Sequence, residues 1–194
     1  MDNKNLSAEM SAAAAEAARV VGNVPEGTLG QRTPCGDWDL RTLLNHTILW
    51  TSYSAERRAH GESVAEDLMN KDFTADPGFR EDYARQIGKA VDAWNNPEAW
   101  AGTRNVMGNA TPAADVGAML LMETALHGWD VARATGQAYA CEPDILEAAL
   151  KFLQMFASPD APAGPEVTFG PARILLDEAP LLDRVVGMAG RDPG

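Results

Sequence analysis

The sequence predicts an all-α protein: an antiparallel four-helix bundle with an extra C-terminal helix and an irregular tail. Helical periodicity dominates the 194 residues, whereas strand-like alternation of apolar and polar residues is scarce. Four of the predicted helices have the spacing and the connecting loops typical of a bundle. Hydrophobic residues make up 45% of the chain and charged residues 23%, an ordinary globular composition. We therefore expect one domain over residues 1–194, with a sizeable hydrophobic core.

The helix boundaries follow from apolar stripes and from end signals. The predicted helices cover residues 6–21, 39–59, 78–94, 111–136, 143–156 and 180–188. Asp39 is a good N-cap for the second helix, and Gly61 lies just beyond its end. Thr111 is expected to cap the fourth helix, and Gly136 to end it. Residues 61–77 are predicted as a connection and residues 97–110 as a long loop.

Charge and composition exclude several functions. The net charge of -12 would repel a nucleic-acid backbone or an anionic membrane, and no basic patch offsets it. The longest strongly apolar run, residues 118–122, is far too short to span a bilayer, and the N-terminus lacks the features of a secretory signal. Cys35 and Cys141 are the only cysteines. They suit reduced thiols in a cytoplasm better than a disulfide framework, so a cytoplasmic location is expected.

Three polar residues interrupt apolar helical faces and could form a metal site. Glu123 stands in the most apolar part of the fourth helix, where a carboxylate is costly unless it is paired or binds a metal. His127 lies four residues later, so the two side chains leave the same face about 6 Å apart. His46 is a polar residue within the apolar second helix. If the two helices are neighbours, His46 completes a set of two histidines and one carboxylate that leaves coordination positions open.

Other interpretations of these residues remain open at this point. Glu123 and His127 could form a buried ion pair, and His46 could be a satisfied core histidine. Asp130, three residues after His127, either supports a metal ligand from behind or bonds a neighbouring group structurally. His60, the third histidine, is too far along the helix from His46 to share an ion, and is interpreted as a histidine favourable to the helix dipole.

Aromatic and thiol side chains near these positions are assigned structural roles. Trp38, Trp50 and Trp129 are predicted to pack in the core rather than to form a substrate platform. Cys35 precedes a helix start, but no histidine is nearby in sequence to activate it. We therefore expect Cys35 to be an inert thiol.

Sequence motifs in both helices resemble a known family. Residues 33–41, which read TPCGDWDLR, lead to Leu44-Asn45-His46 and resemble the second-helix signature of DinB-like metal-binding proteins. Residues 123–136, ETALHGWDVARATG, are similar to the fourth-helix signature of the actinobacterial branch. That branch includes the N-terminal domain of mycothiol-dependent maleylpyruvate isomerase. The segment from Leu182-Asp183-Arg184 to Gly190-Arg191-Asp192-Pro193 also looks like this branch, so the likeness covers nearly the whole chain.

The resemblance implies one divalent metal ion, most often zinc or nickel, held by three side chains. Carried across, the ligands are His46, Glu123 and His127. Many DinB-like relatives have a third histidine where Glu123 stands, whereas the isomerase branch uses glutamate, as here. The isomerase has a second, C-terminal domain that contributes to its active site. Because the chain ends at Gly194, we expect a thiol-dependent metalloenzyme scaffold rather than maleylpyruvate isomerisation itself.

Three functions are consistent with these features. In the first, a low-molecular-weight thiol, mycothiol by resemblance, binds the metal as a thiolate and attacks a small electrophile. The protein would then be an S-transferase or an isomerase of unknown substrate, and a homodimer is compatible with it. The second is a non-enzymatic metal-binding or ligand-sensing protein. The third is a structural bundle whose polar residues pair internally.

Overall fold

A computed structural model describes residues 5–106, 108–161 and 169–194 of the protein. Its helices are α1 (Ser7–Gly22), α2 (Leu40–Ile48), α3 (Ser54–Ala59), α4 (Glu66–Met69), α5 (Phe79–Trp94), α6 (Ala113–Thr135), α7 (Pro143–Leu153) and α8 (Leu181–Met188). This architecture confirms the predicted all-α bundle with its extra C-terminal helix. Within the described ranges, no helix is both long and apolar enough to cross a membrane.

The predicted second helix is one helical segment that changes its winding in the middle. Asp39 caps it as expected, because its carboxylate accepts hydrogen bonds from the backbone N–H and the hydroxyl of Thr42 at 2.9 and 2.7 Å. A wider π turn at Leu49–Tyr53 joins α2 to α3. The segment ends at Ala59, and Gly61 follows in the left-handed region with φ 76°.

The bundle is arranged around α6, which packs against α1, α2 and α7. Cys35, just before α2, lies near Asp130 of α6, and His46 of α2 lies near Glu123, so these two helices are antiparallel. The α2–α3 segment and α5 run in the same direction. The Thr51 hydroxyl meets the Tyr83 hydroxyl at 2.9 Å, and one turn further along each helix Gln86 donates to Glu56. This shared direction requires the long connection between Gly61 and Gly78.

The prediction of a long loop over residues 97–110 was wrong in part, because this segment contains regular structure. A 3₁₀ turn, Pro97–Trp100, leads into a hairpin of β1 (Thr103–Val106) and β2 (Asn109–Pro112). The Arg104 guanidinium holds this hairpin against the end of α3 by donating to the carbonyls of Arg58 and Ala59. The strands are short and largely exposed, so they lack the alternating pattern that would reveal them.

Three further boundaries differ from the predictions. Thr111 does not cap α6, because it pairs with Arg104 in the hairpin and the helix begins at Ala113, after Pro112. The predicted connection over residues 61–77 contains α4 and a 3₁₀ turn, Phe73–Ala75. The helix predicted to reach residue 156 ends at Leu153. The end of α6 is as predicted, with Gly136 in the left-handed conformation at φ 68°.

The C-terminal segment returns to the bundle through α8, which packs on α7. After α8 the chain turns sharply at Gly190, whose φ is 84°. A Cβ atom there would lie 2.7 Å from the backbone of Gly170, so the turn needs glycine for two reasons. This turn directs the next residue, Arg191, into the protein interior, where only 2% of it remains exposed.

Candidate metal centre

The structure brings the three predicted ligands together between α2 and α6. One carboxylate oxygen, Glu123 Oε2, lies 3.2 Å from His46 Nε2 and 3.1 Å from His127 Nε2. The two imidazole rings stand edge to face with their centroids 4.9 Å apart. Candidate ligand atoms of all three residues lie within 4.8 Å of one another, so a single ion could contact all three.

The hydrogen bonding of His127 tests whether a cation fits here. Its ring is fully buried, and Nδ1 lies 3.0 Å from Asp130 Oδ2. Because a carboxylate only accepts, Nδ1–H is the donor, and in the neutral ring Nε2 then carries a lone pair. That atom has no hydrogen-bond partner among the described residues, although Glu123 Oε2 is 3.1 Å away. A buried lone pair that faces a carboxylate is unfavourable on its own. A divalent cation bound by both groups would satisfy them.

The electrostatics of the three groups reflect burial and mutual contact. Burial would raise the pKa of Glu123, but the adjacent imidazoles of His127 and His46 lower it well below the ordinary value. Burial lowers the pKa of His46 despite its contact with Glu123. For His127, burial opposes protonation, but Asp130 and Glu123 outweigh it and raise the pKa, so a cation bound at Nε2 would take the place of a proton there. Glu123 therefore stays ionised over the working pH range, as a metal ligand must be.

Behind His127, a buried ion pair holds Asp130 in place. Arg191 donates to both carboxylate oxygens of Asp130, from Nε at 3.2 Å and from Nη2 at 2.8 Å. Burial would raise the pKa of Asp130, but the Arg191 charge and the His127 hydrogen bond lower it. Asp130 thus lies beside His127, on the side away from Glu123, at the place where a carboxylate orients a ligating imidazole.

Cys35, His127 and Asp130 form a second group with the residue types of a metal site. The Arg191 guanidinium already occupies it, because Nη2 donates to Cys35 Sγ at 3.2 Å as well as to Asp130. A second cation there would face this charge at close range. Burial raises the pKa of Cys35 to about 12, so the thiol stays protonated. These contacts agree with the prediction of an unreactive thiol and favour the group around Glu123 as the metal centre.

Aromatic rings lie beside the two histidines of the centre. The Trp38 ring centroid is 4.9 Å from that of His46 and 6.5 Å from that of His127, and the Trp50 centroid is 6.2 Å from His46. Both tryptophans are half-buried and pack against the core. Only Trp129 is fully in the core, as predicted for all three. The side chains of His46 and Glu123 are 19% and 13% exposed, so solvent reaches the centre at these two residues.

The position of His60 agrees with its prediction, whereas the role of Arg191 was not predicted. His60 lies beyond the end of α3, exposed and apart from the three grouped residues, as predicted. Arg191 was not identified, because it lies 61 residues from Asp130 in a segment without a regular pattern. The only available signal was that residues 190–193 belong to a stretch resembling the family.

Comparison with known proteins agrees with this architecture. Residues 10–132 match the family described as mycothiol maleylpyruvate isomerase N-terminal domain, and the chain belongs to this family. Among solved structures, a mycothiol-dependent maleylpyruvate isomerase superposes with a TM-score of 0.56 at 18% identity, over 79% of this chain and 68% of that protein. A histidine-to-alanine variant of that isomerase superposes equally well at 16% identity over the same shares. At these identities the likeness establishes the helical fold. No curated protein matches the sequence.

Proposed function

We propose that the protein binds one divalent metal ion through His46, Glu123 and His127. We further propose that it uses a low-molecular-weight thiol to act on a small electrophile, as an S-transferase or an isomerase. The observation that carries the first part is the buried Nε2 of His127, which faces the Glu123 carboxylate without a hydrogen-bond partner. The family to which the chain belongs makes mycothiol the first thiol to test. Zinc or nickel suits a set of two imidazoles and one carboxylate.

Each residue would contribute a separate task. A divalent cation held here would supply the positive charge that lowers the pKa of an incoming thiol. Asp130 keeps the Nδ1–H of His127 engaged, so that Nε2 is presented toward Glu123. Arg191 in turn fixes the Asp130 carboxylate at both oxygens. His46 and Glu123 form the edge that solvent reaches, so ligands would approach from this edge.

Among the residues that the structure describes, neither cysteine offers a nucleophile at this place, which favours an external thiol. Cys35 is fully buried and its thiol is protonated at neutral pH. Cys141 is half-buried at the start of α7, and burial raises its pKa to about 11. An ordinary free thiol has a pKa of about 8.5 and is mostly protonated at neutral pH, so it would gain reactivity from the centre. The protein would place the electrophile next to the thiol sulfur.

Thiol-dependent turnover tests this function directly. Zinc-loaded or nickel-loaded protein is incubated with monochlorobimane and with mycothiol, bacillithiol, coenzyme A or glutathione. We expect adduct formation above the spontaneous rate with at least one thiol, its loss in His46→Ala, and its retention in the control His60→Ala. Turnover without any thiol would instead indicate a hydrolase acting through water. No turnover with any thiol over a broad panel of electrophiles would favour a metal-binding or ligand-sensing protein.

A further inference from the structure

Arg58 is a buried arginine close to the candidate metal centre. It lies on α3 and only 8% of it is exposed. The carbon at the centre of its guanidinium lies 5.2 Å from the centroid of the Trp50 ring, and that ring lies 6.2 Å from His46. Arg58 is therefore separated from the centre by little more than one aromatic ring.

The π turn between α2 and α3 explains how Arg58 reaches this face. Arg58 follows His46 by twelve residues. In an uninterrupted α-helix, this spacing would point the two side chains about 120° apart. The π turn at Leu49–Tyr53 has i→i+5 hydrogen bonds and turns less per residue, which rotates Arg58 back toward the side of His46 and Trp50. Single π turns of this kind are frequent at functional sites.

The Arg58 guanidinium has no hydrogen-bonding partner in the part of the chain that the structure describes. This guanidinium lies over the face of the Trp50 ring. Arg191, which is similarly buried, is bound to Asp130 instead. Arginine carries five N–H donors. The Arg58 nitrogens are not fully buried, so their N–H groups reach solvent and are accessible to a ligand. A largely buried guanidinium whose N–H groups face solvent instead of a protein acceptor, next to the candidate metal centre, has the properties expected of an anion site.

Glu123 acts on Arg58 but cannot satisfy it. Burial lowers the pKa of Arg58, and the Glu123 charge opposes that change. The contacts of the Glu123 carboxylate are with His46 and His127, and no hydrogen bond joins it to Arg58. The acceptor for Arg58 would then come from outside the described chain.

We propose that Arg58 binds one carboxylate group of a small organic acid held beside the metal centre. A planar guanidinium presents paired N–H groups that match one carboxylate, which makes a carboxylate the expected ligand. This inference rests on the proposed function, because it identifies the bound acid as the electrophile on which the thiol acts. Arg58 would select carboxylate-bearing electrophiles and orient them along Trp50.

Ligand-observed ¹⁹F NMR tests the proposal with 4-fluorobenzoate as the probe and neutral 4-fluorobenzamide as its matched control. The full-length protein is used zinc-loaded and after dialysis against a chelator. We expect 4-fluorobenzoate to bind zinc-loaded wild type more tightly than the amide does, and Arg58→Gln to weaken that binding by about tenfold or more. Arg57→Gln removes the neighbouring, more exposed arginine, which pairs with Glu62, and should change the affinity by less than about twofold. Arg58→Lys should restore only part of the affinity, because the paired donors are lost.

A stability measurement separates an anion site from a packing role. Arg58→Met keeps an apolar stem under Trp50 and removes the unpaired charge, so its Tm should equal or exceed that of wild type. A clearly lower Tm would assign Arg58 to packing against Trp50 and contradict the proposal. So would equal binding of 4-fluorobenzoate by wild type and Arg58→Gln, or wild-type binding no tighter than that of the amide. If wild type retains no zinc but the chelator-treated protein binds 4-fluorobenzoate through Arg58, only the proposed function fails.

Discussion

At the scale of single residues, His127 is the best-defined part of the centre, because its two nitrogens have different surroundings. Nδ1 is bound to Asp130, whereas Nε2 faces Glu123 with no hydrogen-bond partner among the described residues. The sequence predicted that Glu123 and His127 share one helix face, because residues four apart do so. It left open whether they form an ion pair or a metal site. The lack of a hydrogen bond at Nε2 among the described residues is what favours the metal site.

Asp130 provides the first prediction at this scale. Asp130→Asn should retain metal but bind it about 10- to 100-fold more weakly, because the amide no longer supplies the charge that orients and polarises His127. Competition against a chromophoric zinc chelator measures the affinity. Unchanged affinity in a folded variant would return Asp130 to a purely structural role.

The cysteines give a second prediction. Because burial raises the pKa of Cys35 to about 12 and that of Cys141 to about 11, few thiolates exist at pH 8. Ellman's reagent should therefore label native protein much more slowly than protein in guanidinium chloride, where both thiols react. Fast labelling of Cys35 in the native state would contradict its assignment as an unreactive thiol and reopen a role as nucleophile.

At the scale of secondary-structure elements, local sequence signals predicted the helices. The elements that were not predicted depend on contacts between residues far apart in the sequence. Asp39 and Gly136 were predictable because a cap and a left-handed end depend on adjacent residues. The hairpin was not predictable, because Arg104 stabilises it through carbonyls of a distant helix. For the same reason, the return of the C-terminal segment through Arg191 was not predictable.

The C-terminal segment makes a testable contribution through Arg191. Arg191→Met leaves Asp130 buried without its counter-charge, which should lower the free energy of unfolding by about 3–5 kcal/mol. Urea denaturation followed by circular dichroism measures this loss. Arg184→Met is the matched control, since Arg184 pairs with a largely exposed Asp177 and should change stability little. Equal effects of the two substitutions would show that the buried pair does not hold this segment.

At the scale of the whole molecule, the fold and the grouping of three polar residues on two helices were the predictable parts. Periodicity revealed the bundle, and rare polar residues on apolar faces marked its centre. The side chains around these three polar residues were less predictable. In the sequence, Trp38, Trp50 and Arg58 look like ordinary core or surface residues. The homodimer and the extent of the domain over residues 1–194 stay predictions.

The central claim is that the bundle holds one divalent ion between α2 and α6, and the most direct test is its metal content. Elemental analysis is made on protein purified without a metal-affinity tag and reloaded with zinc. We expect about one zinc per chain in wild type and in the control His60→Ala, and loss of most of it in each of His46→Ala, Glu123→Ala and His127→Ala. Removing zinc from wild type should also lower its Tm, because an ion bound only by the folded state stabilises that state. Near-stoichiometric zinc in all three ligand variants would contradict the site.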